Sequence, residues 1–172
     1  DIEAIGADFL IVSSHKIGGP KGAGALISRG EVLMPKPLIH GGGQEKGHRS
    51  GTENVLAIIG FGAAAEAALV DFDGRNARIG ALRDRLEEGM RLAAPDIIIH
   101  GEGGARVPNT SFFTLPGLKS ETGQIAFDLE GVDISAGSAC SSGKVGESHV
   151  LVAMGCDPKL GALRISLGPA TT

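Results

Sequence analysis

The chain has 172 residues, of which 42% are hydrophobic, 21% charged and only 3% aromatic, with a formal net charge of −4. An ordinary apolar fraction argues against a disordered chain, and scattered basic residues under a net negative charge argue against a nucleic-acid surface. No apolar run approaches the ~20 residues that span a bilayer, and Asp1-Ile2-Glu3 does not open a signal peptide, so no membrane contact and a cytoplasmic location are expected.

In chain order, residues 8–12 (Asp-Phe-Leu-Ile-Val) predict a short buried strand, followed by Ser13-Ser14-His15-Lys16 and a glycine-rich stretch from Gly18 to Gly24. Residues 25–28 predict the next strand. Pro35 and Pro37 lead into a long polar loop over 39–52, and loops of that length are usually functional or disordered. From Glu53 to about Val70 the Ala-rich composition predicts a buried helix. Ile79, Leu82, Leu86, Met90 and Ala93 recur at helical spacing, with Arg83, Arg85, Glu87 and Glu88 assigned to the other face. Pro95 ends that helix. Strands follow at 97–99 and 110–115, then a helix capped by Ser120, a strand at 132–135, a helix at 148–154 and a strand at 163–167. This alternation is an α/β pattern, with a boundary expected in the range 53–75.

Lys16 leaves a buried strand in a Ser/His/Gly setting, where partial desolvation would favour a neutral, nucleophilic amine; a plain surface lysine is the simpler reading. The glycines after it do not form a phosphate loop, because Lys21 is followed by Gly22 and the spacing is wrong. Two cysteines, Cys140 and Cys156, make neither a CxxC pair nor a disulfide framework, so no metal site is expected. Cys140, set in Gly137-Ser138-Ala139-Cys140-Ser141-Ser142-Gly143, reads equally as a reactive loop thiol or a small buried residue. Arg164 alternates with apolar residues in a strand and calls for a carboxylate, either from a ligand or from an internal Asp or Glu. His40 and His48 read as solvated loop residues, and His100 as a strand end of little significance.

Ser13-Ser14-His15-Lys16 with Gly18-Gly19-Pro20-Lys21-Gly22, then Gly41-Gly42-Gly43-Gln44-Glu45 with Arg49-Ser50-Gly51-Thr52, then Gly137-Ser138-Ala139-Cys140, then Leu163-Arg164-Ile165-Ser166-Leu167-Gly168 occur in one order. That series resembles the pyridoxal-phosphate cysteine desulfurases of the NifS/IscS type, within the class V aminotransferases. The resemblance implies an α/β enzyme of fold type I, with residues 1–54 ending the large cofactor domain and 55–172 forming mostly the small α+β domain.

The same resemblance implies that Lys16 holds the pyridoxal 5'-phosphate covalently and later shuttles a proton, and that Ser13 and His15 bind its phosphate. Thr52 would reach the phosphate of a neighbouring subunit in a homodimer. Arg164 would grip the carboxylate of L-cysteine, and Cys140 would take its sulfur as a persulfide, release alanine and pass the sulfur to an acceptor or scaffold protein. The family's pyridine-stacking histidine and pyridine-pairing aspartate have no match here, Asp1 and Asp8 being the only early aspartates. The chain is therefore expected to be the C-terminal portion of such an enzyme, and weak in cofactor binding by itself. Pro169 stands where the family often has a basic residue. A selenocysteine lyase or other class V enzyme, and a non-catalytic interaction module, are the competing readings.

Overall fold

The computed structural model describes residues 2–30, 34–137, 148–157 and 159–172; Cys140 lies outside them. The chain divides into two compact units, Asp1–Phe72 and Asp73–Thr172.

In the first unit a short helix, α1 (Ile2–Ile5), precedes strands β1 (Phe9–Ser13) and β2 (Gly24–Ser28). They pair antiparallel, with Phe9 opposite Ser28 and Ser13 opposite Gly24. Gly24 is needed there, because a Cβ would stand 2.7 Å from the Val12 carbonyl oxygen. A single 3₁₀ turn, Ser14–Ile17, follows β1. Helix α2 (Val55–Leu69) starts at Asn54, whose side chain accepts a hydrogen bond from the Ala57 N–H at 3.2 Å.

The expectation of a buried helix here is corrected. Ala57 is buried, but Leu56 is 85% and Leu69 75% exposed. Apart from Glu66 the helix is apolar all round, so its sequence has almost no period from which to choose an inward face. Packing chose the small face, which lies on the Ser14–Ile17 turn. The first compact unit thus runs through α2 to Phe72.

The second unit contains helix α3 (Phe72–Ala93, but for its first residue), strands β3 (Ile98–Ile99) and β4 (Thr110–Thr114), helix α4 (Ser120–Leu129), strand β5 (Ser135–Ala136), helix α5 (His149–Ala153) and strand β6 (Leu163–Ser166). Its sheet runs β3-β4-β6-β5, and every described pairing in it is antiparallel. Ile99, Phe113 and Leu163 form the core, with Met90, Leu118 and Phe127 packed against them. The alternation of β-strands puts Phe112, Arg164 and Ser135, which are directly opposite one another, on the other face.

Three local assignments change. Ser120 is the first residue of α4 and not its cap; Lys119 holds the cap position without a side-chain bond. The strand expected at 132–135 begins only at Ser135, because Val132 and Gly131 are spent closing α4. Their N–H groups bond the carbonyls of Phe127 and Asp128, each at 2.9 Å, around a left-handed Gly131.

Glu87 does not face solvent with Glu88. It is 3% exposed and receives two hydrogen bonds from Arg106, at 2.8 and 3.0 Å. Burial pushes its carboxyl up, but the Arg106 bonds and the charges of Arg106 and Arg83 outweigh that and hold it below the usual carboxylate value. Among the described residues no single helix is long and apolar enough to cross a membrane.

Candidate active site

β1 delivers Ser13 to the mouth of the 3₁₀ turn, and the turn carries His15 and Lys16. The Ser14 N–H bonds the Ala23 carbonyl at 3.0 Å, tying the turn to β2. Gly18 closes it in the left-handed region (φ 89°), its N–H reaching the Ser14 carbonyl, and the Gly19 N–H reaches the same oxygen at 3.0 Å. The structure therefore brings Ser13, His15 and Lys16 together on one strand end.

Ser14 is the side chain that points inward. It is fully buried, and its Oγ has no hydrogen-bond partner among the described residues. Ser14 faces inward, whereas Lys16 is exposed in this unit, which agrees with the simpler reading of a surface lysine and not with partial desolvation. Lys16 makes no ion pair among the described residues. Asp8 is engaged by Arg29 at 2.9 Å, at the far end of β1 from Lys16.

The polar loop is tied to itself. Ser50 Oγ donates to the Gly42 carbonyl at 2.8 Å, Gly51 N–H donates to Gln44 Oε1 at 3.3 Å, and Arg49 holds both the Gly51 carbonyl (2.7 Å) and Glu45 (3.5 Å). Thr52 leaves this loop exposed and bonds to none of Ser13, His15 and Lys16 among the described residues.

In the second unit, Arg164 sits in β6 between Phe112 and Ser135. Its Nη2 donates to Ser135 Oγ at 3.3 Å, while its Nε is buried without a partner. No carboxylate pairs with it among the described residues, so the internal Asp or Glu is not found there. A half-buried guanidinium with an unused donor fits a carboxylate ligand. Ser135 was missed from the sequence because its role depends on a strand pairing 29 residues away.

His100 was also missed. It is buried, its Nε2 lies 2.8 Å from Thr114 Oγ1, and its ring is stacked obliquely on Phe112 at 5.2 Å. Cys156 Sγ lies 3.7 Å from the other ring nitrogen, a packing contact that suits a structural role for Cys156. Burial lowers the His100 pKa from its ordinary 6.5. The unfolded chain therefore takes up a proton near 6.5 that the fold refuses, so stability is lost as pH falls through 6.5 and the loss saturates below the folded value. Urea midpoints of the wild type should drop more from about pH 7 to about pH 5 than those of His100→Gln; equal drops would refute the assignment.

The sequence pattern described as Aminotransferase class-V matches residues 1–172. The chain belongs to the class-V aminotransferase family. This class-V aminotransferase chain is 41% identical over 174 residues to cysteine desulfurase IscS of Dictyoglomus turgidum, covering 100% of the chain and 44% of that relative. It is 43% identical over 170 residues to a cysteine desulfurase of Sinorhizobium fredii, covering 97% and 43% respectively. Among solved structures, a NifS-like protein from Rickettsia africae superimposes with a TM-score of 0.83 at 39% identity, covering 100% of this chain and 45% of that one.

The chain thus spans less than half the length of these relatives. Enzymes of the class-V aminotransferase family depend on pyridoxal 5'-phosphate. The strand end fits one side of that group: an exposed amine free of ion pairs among the described residues, flanked by a serine and a histidine.

Proposed function

We propose that this chain is the portion of a pyridoxal-phosphate-dependent cysteine desulfurase that supplies the anchoring lysine, the carboxylate-binding arginine and the sulfur-accepting cysteine. When bound, the cofactor supplies the electron sink. Lys16 contributes the amine that holds it and then carries a proton to and from the substrate. Ser13 and His15 bind the phosphate, and Thr52 contributes to the phosphate site of a neighbouring subunit in a homodimer.

Arg164 grips the α-carboxylate of L-cysteine, which fixes the position of the substrate sulfur. Cys140 thiolate attacks that sulfur, the carbon–sulfur bond breaks with its electron pair left on carbon, and protonation of carbon gives L-alanine. The persulfide on Cys140 is then passed to a sulfur-acceptor or scaffold protein in the cytoplasm.

The observation that carries this reading is Arg164, ready for a carboxylate and bonded to the strand that leads to Cys140. The Gly137 N–H bonds the Ala162 carbonyl at 2.8 Å, two residues before Arg164 in β6. Only three peptide steps, about 10 Å at full extension, separate Gly137 from Cys140 along the chain. A carboxylate held by Arg164 and a thiol so tethered suit one small amino acid.

The test is mass spectrometry of the peptide containing Cys140, taken from the complete enzyme after incubation with L-cysteine. One added sulfur on that peptide, with alanine released, is expected. Alanine without added sulfur at Cys140, or no alanine, would overturn the reading.

A further inference from the structure

The α2 residues that touch the lysine turn are far from it in sequence and belong to none of the motifs around it. Gly60 faces the ring of Pro20: a Cβ on residue 60 would stand 2.9 Å from Pro20 Cγ and 3.0 Å from Cδ. One turn further along α2, Ala64 faces Gly19, where a Cβ would meet Ala64 Cβ at 3.1 Å and Ser14 Oγ at 2.3 Å. The Gly19-Pro20 segment is thus wedged between α2 and the buried Ser14 hydroxyl. That segment is also what closes the Ser14–Ile17 turn, through the Gly19 N–H on the Ser14 carbonyl.

A proline ring cannot swing aside as a long side chain can, because it is fused to the backbone. Any atom added at residue 60 must therefore push the backbone of the strap. Reaching an ordinary carbon–carbon distance of ~3.5 Å requires a shift of about 0.6 Å. The displacement is transmitted through Gly19 to the turn that presents Lys16.

We infer that Gly60 is a positioning residue for Lys16: its missing side chain lets α2 seat the Gly19-Pro20 strap and so sets where the Lys16 amine stands. The inference rests on the proposed attachment of pyridoxal phosphate to Lys16 and adds to it the element that aims the lysine. It separates two roles within one helix. Gly60 is in close contact with the strap, whereas Gly62, two residues on, has nothing within 4 Å of a Cβ position.

The test uses the complete enzyme and four proteins: wild type, Gly60→Ala, Gly62→Ala, and Pro20→Ala/Gly60→Ala. The readout is the rate at which pyridoxal phosphate is fixed on Lys16 by borohydride, located by peptide mass, together with amide exchange at Gly19. Gly60→Ala should fix the cofactor about 10- to 100-fold more slowly, the size of effect that a misplacement of up to 1 Å produces, and should exchange faster at Gly19. Helix propensity cannot be the cause, since alanine favours a helix more than glycine does. Gly62→Ala should behave as wild type.

Removing the ring should restore fixation in the double variant, because the Cβ of residue 20 is 4.0 Å from the added carbon. Wild-type fixation in Gly60→Ala, or no recovery in the double variant, would overturn the inference. A wild-type enzyme that fixes no cofactor on Lys16 would overturn the functional reading itself, and this inference with it.

Discussion

Arg164→Leu is expected to lower kcat/KM for L-cysteine by about 10²–10³-fold, while leaving cofactor attachment to Lys16 intact. The guanidinium lies in the sheet beside Ser135, and among the described residues its buried Nε has no hydrogen-bond partner and no carboxylate pairs with it. Losing one side of a largely desolvated charge pair costs on the order of 2–5 kcal/mol, and 1.4 kcal/mol corresponds to a factor of ten. Leucine next to Phe112 keeps the strand's apolar surroundings, so folding should not obscure the result. If the guanidinium only holds the carboxylate, most of the loss should be in KM. Arg164→Lys should recover only part, because an ammonium lacks the planar fork that meets both carboxylate oxygens. Steady-state kinetics with L-cysteine decide it: an unchanged kcat/KM in Arg164→Leu would remove Arg164 from the substrate site.

The elements legible in the sequence were those with a period. Ile79, Leu82, Leu86 and Met90 announce α3 because a surface helix needs one apolar stripe, and Phe113 and Leu163 alternate with polar or half-buried neighbours as half-buried strands do. α2 is legible as a helix but its burial is not, since a helix apolar at every position but Glu66 carries almost no directional signal and its contact depends on where small side chains allow close approach. Glu87 was placed on the wrong side because its partner, Arg106, lies 19 residues later and no local rule joins them.

The candidate site shows the same division. Lys16, Arg164 and their neighbours are legible as motifs, since the chemistry proposed for them calls for those residue types at those positions. Ser135, His100 and the seat formed by Gly60 were not, because each acquires its role only when strands pair or a helix lands on a turn. Ser14 is the sharpest case. It lies within the most informative motif of the chain, yet its sequence gives no sign that it turns inward while its neighbours Ser13 and His15 do not follow it.

Arg106→Leu should have the largest effect on stability, about 3–5 kcal/mol, because it leaves the Glu87 carboxylate buried and unpaired. The pair joins α3 to the segment between β3 and β4, so the penalty falls on the core of the second unit. Glu87→Leu combined with Arg106→Leu should recover most of the loss, since two apolar side chains leave no charge stranded. The pH dependence distinguishes a stranded charge from a simple packing defect. In the wild type the Glu87 pKa is held below its ordinary 4.5, so below that value the unfolded chain binds more protons and the stabilisation is lost as pH falls through the folded pKa. In Arg106→Leu burial remains while the guanidinium's bonds and charge are lost, so the folded carboxyl is expected to rise towards or above its ordinary value, against the remaining pull of Ser111 and Arg83, and to take up its proton more readily in the fold. The deficit between the two proteins should therefore shrink from about pH 7 to about pH 4 in urea unfolding. A deficit that stays constant over that range would mean that Arg106 contributes its packed stem, not its charge.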